Sequence, residues 1–203
     1  MSLSPEQLVA LIVATSFAAG LNVYGTVATL GLLSRAGAIA LPASLNLIDN
    51  WWVIGACILQ FAIEFVADKV PVFDLVWNAL QTFVRVPAGA LLAYAAASPL
   101  GPGWQLLATA LGAAIAFAAH GGKTAARVAV TTSPEPFSNA ALSFLEDAFA
   151  IFITWFATQH PFIAATIVVA CLVVIVLFIR IVIRALRVLF QGAEVQLQES
   201  GQP

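Results

Sequence analysis

Long apolar runs alternate along this chain with short clusters of Pro, Gly, Ser and Asp, and a few charged positions fall inside the runs themselves. Each run has about 20 residues or more, enough to cross a hydrocarbon core of about 30 Å. The pattern predicts six helices. The first opens at Ser4-Pro5-Glu6-Gln7, where Ser4 suits the N-cap and Pro5 the first helical position. It runs to about Arg35 with a break over Gly20-Leu21-Asn22-Val23-Tyr24-Gly25. A loop over Gly37 to Pro42 and a lead-in over Leu45 to Asp49 precede the second helix, about 51–68. Asp68-Lys69-Val70-Pro71 ends it, because Pro cannot continue a helix. The third covers about 72–97, with a kink expected at Pro87. Ser98-Pro99-Leu100-Gly101-Pro102-Gly103 then divides the chain into halves, about 5–97 and 104–187. The fourth helix starts near Trp104, is expected to break over His120 to Lys123, and resumes through Arg127 to Thr131-Thr132-Ser133-Pro134-Glu135-Pro136. The fifth covers about 137–158. Gln159-His160-Pro161 turns the chain into the sixth, about 162–187.

Composition turns this helical pattern into a membrane protein. Of 203 residues, 62% are hydrophobic and only 9% charged, and the mean hydropathy is +0.99. A soluble domain carries about 25% charged residues. Trp51 and Trp52 suit an interfacial anchor. The N-terminus lacks the basic region of a cleaved signal peptide and is read as part of the first span. Six spans would place Lys69, Lys123, Arg127, Arg180, Arg184 and Arg187 on one side and Arg35 on the other. That expectation puts both termini in the cytoplasm of a bacterial inner membrane. Val188-Leu189-Phe190-Gln191-Gly192 resembles a viral 3C-type protease site, although Arg187 and Ala193 depart from it, and Glu194 to Gly201 resembles the opening of an antibody variable domain. Residues 188–203 are therefore read as an appended tag, and 1–187 as a single integral membrane domain.

The candidate chemistry lies in polar stripes on apolar helices. Asp74, Asn78, Gln81 and Arg85 follow one another at spacings of four, three and four, which keeps them on one helical face. Cys57, Gln60, Glu64 and Asp68 do the same on helix two. Asn139, Ser143 and Glu146 align on helix five, with Asp147 about a quarter-turn away. His120, Lys123 and Arg127 align on helix four if the glycines leave its phase intact. Arg85 sits midway along its span, where an arginine costs roughly 2.5–3.5 kcal/mol on insertion scales and so needs a partner. Glu146 and Asp147 are the first candidates and Glu64 the next. The bland alternative is that these charges only tie the bundle together. Ala88, Gly89 and Ala90 suit close helix packing.

A weak internal repeat pairs Ala18-Ala19-Gly20, Gly25-Thr26 and Ser34 with Ala118-Ala119-His120, Gly122-Lys123-Thr124 and Ser133. Three spans per half would enter the membrane upside down relative to each other, the inverted 3+3 plan of many transporters. Enzyme signatures are missing: there is no H-E-x-x-H and no G-x-S-x-G, and Gly121-Gly122-Lys123-Thr124 lacks the upstream Gly of a P-loop, because Phe117 stands there. Cys57 and Cys171 stand alone with no metal-ligand spacing. No basic tract points to nucleic acid. No cofactor, no metal and no enzymatic activity are expected.

Several stretches together resemble a bacterial family of multi-pass membrane proteins known only as a domain of unknown function, DUF4126. They are Gly20-Leu21-Asn22-Val23-Tyr24, Glu64-Phe65-Val66-Ala67-Asp68-Lys69-Val70-Pro71, Asp74 with Trp77, Thr82 and Arg85, and Pro87-Ala88-Gly89-Ala90-Leu91-Leu92-Ala93. His120, Lys123, Arg127, Ser133-Pro134-Glu135-Pro136-Phe137-Ser138-Asn139 and Glu146-Asp147 complete the set. The resemblance covers nearly everything before the tag and implies no established activity.

The functional expectation is a transporter or channel for a small, anionic solute. Asn22, Tyr24, Thr26, Arg85, His120, Lys123, Arg127, Glu146 and Asp147 would form its site, and Glu64, Asp68, Asp74, Asn78, Gln81 and Asn139 a supporting network. Helix N-termini after the two breaks, near Gly25-Thr26 and Lys123-Thr124, would favour the anion. A cation held by Glu64, Asp68, Glu146 and Asp147 is the rival. The other class of function is a lipid-binding or assembly protein with a purely structural interior. The partners expected are the bilayer and a small solute or ion, with a homo-oligomer left open.

Overall fold

The computed structural model describes residues 4–68, 71–131 and 136–200, with the side chains of 71–75, 130–131, 136–139, 186 and 189–200 outside that description. Among the described residues it is all-helical. Six α-helices, α1 Pro5–Arg35, α2 Trp51–Ala67, α3 Pro71–Ala96, α4 Pro102–Thr131, α5 Pro136–Gln159 and α6 Pro161–Ser200, are joined in two places by 3-10 turns at Ala43–Asp49 and Ser98–Leu100. The boundaries follow the chain's punctuation. Ser4 caps α1 through a reciprocal pair: Gln7 N donates to Ser4 Oγ at 3.3 Å and Ser4 N donates to Gln7 Oε1 at 2.9 Å. Pro71, Pro102, Pro136 and Pro161 each open a helix, where the missing N–H costs nothing. α3 continues through Pro87. The stretch 132–135, where the pattern ends the fourth helix, lies outside the described residues.

By length and composition α1, α4, α5 and α6 can each cross a membrane, and the turn at Ala43–Asp49 with α2, bent by 61°, makes a fifth candidate. Length qualifies α1, but its path through the bundle is not straight. Asn22 has an extended backbone, φ −151° and ψ 101°, in the middle of that helix, and the chain reverses there. α3 serves as the ruler. Gly20 O lies 3.5 Å from the Arg85 side chain, a Cβ on Gly89 would meet Ser16 O, and Leu8 and Ile12 share a core with Leu92 and Ala96. So the arm 5–21 runs antiparallel to α3. The arm 23–35 runs the other way. Tyr24 faces Gln81, Gly31 touches Ile48 and Ile54, and Arg35 donates to Asp49 O at 2.8 Å. The turn that carries Asp49 is fastened to the far end of α3 by Ser44, which donates to Ala95 O at 2.7 Å. Leu8 and Leu30, one from each arm, line one cavity. α1 is therefore a hairpin, entering and leaving at the same end of the bundle with Asn22 at its tip.

This corrects two expectations. The first helix is broken, as its sequence predicts, but its two halves run antiparallel where a single path through the bundle was expected. The two ends of the bundle are then not shared by the termini. Gln7 and Leu8, in the first turns of α1, line one cavity with Ala96 and Gln159, whereas α6 starts at that end and runs parallel to α4, with Ile175 and Ile179 against Gly122 and Gly121, to finish at the opposite end. Six helices alternating in direction would have put those two ends together, and the reversal in α1 sets them apart in the bundle.

A third correction concerns α4. It is unbroken from Pro102 to Thr131, and Thr124 Oγ1 donates to His120 O at 3.0 Å in ordinary helical register. Of the repeat that paired residues 18–34 with 118–133, the first stretch holds the break at Asn22, whereas the described part of the second, 118–131, is continuous helix, so the pairing does not extend to the break. α1 sits at the centre, most of it buried, while α6 faces outward along most of its length. Small residues let the centre close up. A Cβ on Gly20 would lie 2.4 Å from Ala116 O, and one on Gly112 would lie 2.5 Å from Ala93 Cβ. Only glycine allows these approaches, which bring α1, α3 and α4 together around Ser16 and set Arg85 and His120 beside the hairpin tip.

Candidate functional site

The polar stripes converge just beyond that three-helix contact. The last turn of α2 supplies Glu64 and its C-cap Asp68, α3 supplies Arg85, and α4 supplies Lys123 and Arg127 one turn apart. α5 supplies Ser143, Glu146 and Asp147. Unbroken helix in α4 is what keeps His120, Lys123 and Arg127 on one face, as their spacing of three and four requires.

The ion pairs form one connected group. Arg85 is paired with Glu64 through Nη2 and Oε1, both side chains fully buried. Lys123 Nζ lies 3.5 Å from Glu64 Oε1, 3.0 Å from Asp68 Oδ2 and 3.7 Å from Glu146 Oε2. Arg127 Nη2 lies 3.2 Å from Asp68 Oδ2 and 2.9 Å from Glu146 Oε2, and its Nη1 donates to Asp68 O at 3.3 Å. Ser143 Oγ donates to Asp68 Oδ2 at 3.2 Å. Single charges inside a low-dielectric bundle are expensive, and each base here is offset by a carboxylate in contact.

The hairpin tip joins this network and is capped by it. Asn22 does both jobs of an N-cap: its Oδ1 accepts from Gly25 N at 2.9 Å, and its Nδ2 donates to Asp147 Oδ1 at 2.8 Å. On the other arm Arg85 Nη1 donates to Gly20 O at 3.5 Å, a carbonyl that the reversal removes from the helical ladder. A carboxylate thus faces the N-terminal pole of one half-helix and a guanidinium the C-terminal pole of the other. Arg85 Nη1 also contacts His120 Nδ1 at 3.2 Å. Arginine can only donate, so Nδ1 must accept and the hydrogen sits on Nε2. Nε2 faces Asn78 O at 3.1 Å and Thr82 Oγ1 at 2.8 Å. His120 is a neutral imidazole in this arrangement.

The structure brings Asn22, Arg85, His120, Lys123, Arg127, Glu146 and Asp147 together with Glu64 and Asp68. Tyr24 sits at the margin, accepting from Gln81 at 3.4 Å. Thr26 turns back onto its own helix and donates to Asn22 O at 2.8 Å. Asn78 contributes its backbone carbonyl. The side chains of Asp74 and Asn139 lie outside the described residues. Arg85 takes Glu64 and not the preferred Glu146 or Asp147, because Arg127, Lys123 and Asn22 already occupy those two. The sequence reading missed the Gly20 carbonyl, whose role depends on the reversal, and did not assign Thr82 and Ser143 to the site. Their spacing carried that signal: Thr82 lies one turn from Asn78 and near one from Arg85, and Ser143 one turn before Asp147. Among the described residues no group of His, Cys, Asp and Glu is arranged to hold a metal.

Two features set the cluster's character. Among the described residues its three bases face four acids, so with all of these ionised it carries one negative charge in excess. Among them Asp147 has no base as a hydrogen-bond partner, and its Oδ2 is buried without a hydrogen bond. A groove of about 430 Å³ reaches Lys123 and Glu146 from the outer side of α4, α5 and α6, walled by Phe17, Leu21, Phe149 and Ile175. A larger cavity of about 650 Å³ lies at the open end of the hairpin, and its lining holds no charged residue.

No curated protein and no solved structure matches the chain. The family described as a domain of unknown function, DUF4126, matches residues 9–181, a span that includes both arms of the hairpin and every acid and base of the cluster. The chain belongs to the DUF4126 family.

Proposed function

We propose that this protein is a transporter or channel of the bacterial cytoplasmic membrane, moving a proton or small cation through the polar site at the tip of the α1 hairpin. The observation that carries the reading is Asn22 itself, extended backbone at the centre of the bundle, in contact with Asp147. Within a bilayer, backbone that leaves the helix is tolerated only when buried in protein or lining an aqueous path, and such breaks mark solute sites in many transporters.

Charge bookkeeping turns the solute from anion to cation. The anion reading needed a second half-helix N-terminus at Lys123-Thr124, and α4 is continuous there. Lys123 and Arg127 are each in contact with two or more carboxylates. What the cluster leaves over is an acid. In the bilayer α2 to α6 would each cross, and α1 would enter and leave at one face. The end carrying the exposed Arg180, Arg184 and Arg187 would be cytoplasmic, which places Pro5 on the other side.

The test is reconstitution into proteoliposomes, with the reversal potential read under a salt gradient and internal pH followed by an entrapped dye. Cation or proton flux that Asp147→Asn lowers by about tenfold or more, at unchanged protein insertion, supports the reading. Anion-selective current that Lys123→Ala abolishes would overturn it. One observation favours a second reading, a lipid-binding or assembly protein: every base in the cluster already has an acidic partner within 4 Å. On that reading the vesicles stay tight to ions of either sign.

A further inference from the structure

We infer that the groove between α4, α5 and α6 is a binding site for an amphipathic monovalent cation that enters sideways from the bilayer. This rests on the proposed cation pathway and names the class of molecule its outer side accepts. Three independent features meet in the groove.

The first is a carboxylate with one oxygen to spare. Both bases that contact Glu146 do so through Oε2, Lys123 at 3.7 Å and Arg127 at 2.9 Å. Among the described residues Oε1 has no hydrogen-bond partner and is not one of the fully enclosed unsatisfied atoms. The side chain is 10% exposed, and the face it shows lines the groove. Lys123 also borders the groove, but its side chain is 0% exposed and its ammonium points inward to Glu64 and Asp68. The charge presented to an occupant is therefore negative.

The second is the wall. Phe17 and Leu21 of the hairpin, Phe149 of α5 and Ile175 of α6 give an apolar surface. Leu145 and Val174 form its rim and are exposed on the outer face of the bundle, 63% and 64%, which in a bilayer is the lipid side. A ligand arriving there must already partition into lipid. The third is the cluster's surplus acid. An occupant with one positive charge would bring the buried network to neutrality, whereas an anion would add to an existing excess. An apolar body with a single weakly hydrated positive charge satisfies all three. An acyl chain alone would leave Oε1 unmet, and a bare inorganic cation would face an unfavourable wall.

Purified protein in detergent is titrated calorimetrically with tetraphenylphosphonium and, separately, with tetraphenylborate, which has the same shape and the opposite charge. The expectation is one saturable site for the phosphonium and none for the borate. Glu146→Gln should weaken phosphonium binding by about tenfold or more, the scale of one lost charge contact. Because Glu146→Gln also loosens the hold on Arg127, a second variant is needed. Leu145→Trp adds bulk at the groove's lipid-exposed rim, leaves every acid and base of the network in place, and should weaken binding by a similar factor. Equal binding of the borate, wild-type phosphonium affinity in both variants, or no saturable phosphonium binding overturns the inference. Vesicle flux separates it from the reading it rests on. Proton or cation flux without phosphonium binding removes the groove and keeps the pathway. Phosphonium binding in a protein that passes no ion keeps the groove and removes the pathway.

Discussion

α1 and α4 carry the two glycine-marked polar interruptions of the chain, and they behave oppositely. Gly20 to Gly25 reverses the backbone, while Gly121-Gly122 stays helical. Glycine content does not separate them. A glycine inside a helix costs about 1 kcal/mol relative to alanine, so the pair in α4 costs about 2 kcal/mol if the helix stays intact. Breaking the helix inside a bilayer orphans up to four N–H and four C=O groups, each worth several kcal/mol if nothing replaces the lost bond. Continuity wins unless the replacement bonds are on hand. At the α1 tip they are: Asn22 Oδ1 accepts from Gly25 N and Arg85 donates to Gly20 O, while Asp147 holds the Asn22 side chain in place by accepting from its Nδ2. At Gly121-Gly122 no Asn, Asp or Ser precedes the would-be half-helix, and Thr124 spends its hydroxyl on the His120 carbonyl one turn back. A break in a membrane helix is therefore signalled by its caps more than by its glycines.

The sharpest way to break this comparison is topological, because the outcome is all-or-none. With Cys57 and Cys171 replaced by Ala, single cysteines at Gln7, Gly101 and Arg184 are labelled with an impermeant maleimide in oriented vesicles. A hairpin places Gln7 and Gly101 on one side and Arg184 on the other. Labelling of Gln7 together with Arg184 would mean that α1 spans the membrane.

Next in size is Arg85→Ala. Arg85 is fully buried, paired with Glu64, and caps the Gly20 carbonyl. Removing one member of a buried pair typically costs about 3–5 kcal/mol, because the partner charge is stranded. Thermal unfolding in detergent should show that loss, and adding Glu64→Gln should recover part of it. A melting point equal to wild type would mean that water already solvates the charge and that the tip needs no guanidinium.

Asn22→Ala is smaller, about 1–3 kcal/mol, from one lost N-cap and one buried carboxylate left without its donor. Asn22→Asp separates the two roles. It keeps the cap to Gly25 N but sets a carboxylate against Asp147, so it should restore little at pH 8 and more at pH 5, where the facing pair can share a proton. A pH-independent Asn22→Asp would show that Asn22 acts through the cap alone.

How much of this was legible before the fold was known follows from the same physics. Helix boundaries were legible because proline and N-caps act locally: Pro71, Pro102, Pro136 and Pro161 each open a helix within two residues of where the pattern placed it. The membership of the cluster was legible too, since polar residues on an apolar helix at spacings of three and four must face inward or toward one another. Pairing was not. Arg85 chose Glu64 over Glu146 because Arg127 and Asn22 occupy the α5 acids, and occupancy is a three-dimensional fact. The reversal at Asn22 was visible as a break, but its angle depends on Gly20 against Ala116 and on Ser44 holding the far turn to α3, contacts that no local pattern contains. Reading α1 as a single path through the bundle then placed its start at the opposite end from where it lies, beside Ala96 and Gln159.

The smallest expected effect is the one that tests the rule about caps. If Gly121-Gly122 were a second break, a methyl group there would be resisted by the unwound backbone and the protein would lose stability. With α4 continuous, Gly121→Ala removes a glycine from a helix interior, and the added Cβ meets only Ile179 Cδ1 at 3.7 Å, an ordinary contact. The expectation is neutral to stabilising, by up to about 1 kcal/mol. Gly122 supplies the control within the same dipeptide. A Cβ there would lie 2.8–3.0 Å from three Ile175 side-chain atoms, so Gly122→Ala should give back the propensity gain by pushing α6 outward, and Ile175→Val in the same chain should restore it. Thermal unfolding of the four proteins reads the set. Destabilisation by Gly121→Ala of more than about 1 kcal/mol would show that α4 does need its glycine freedom and that α1 and α4 are more alike than their caps imply.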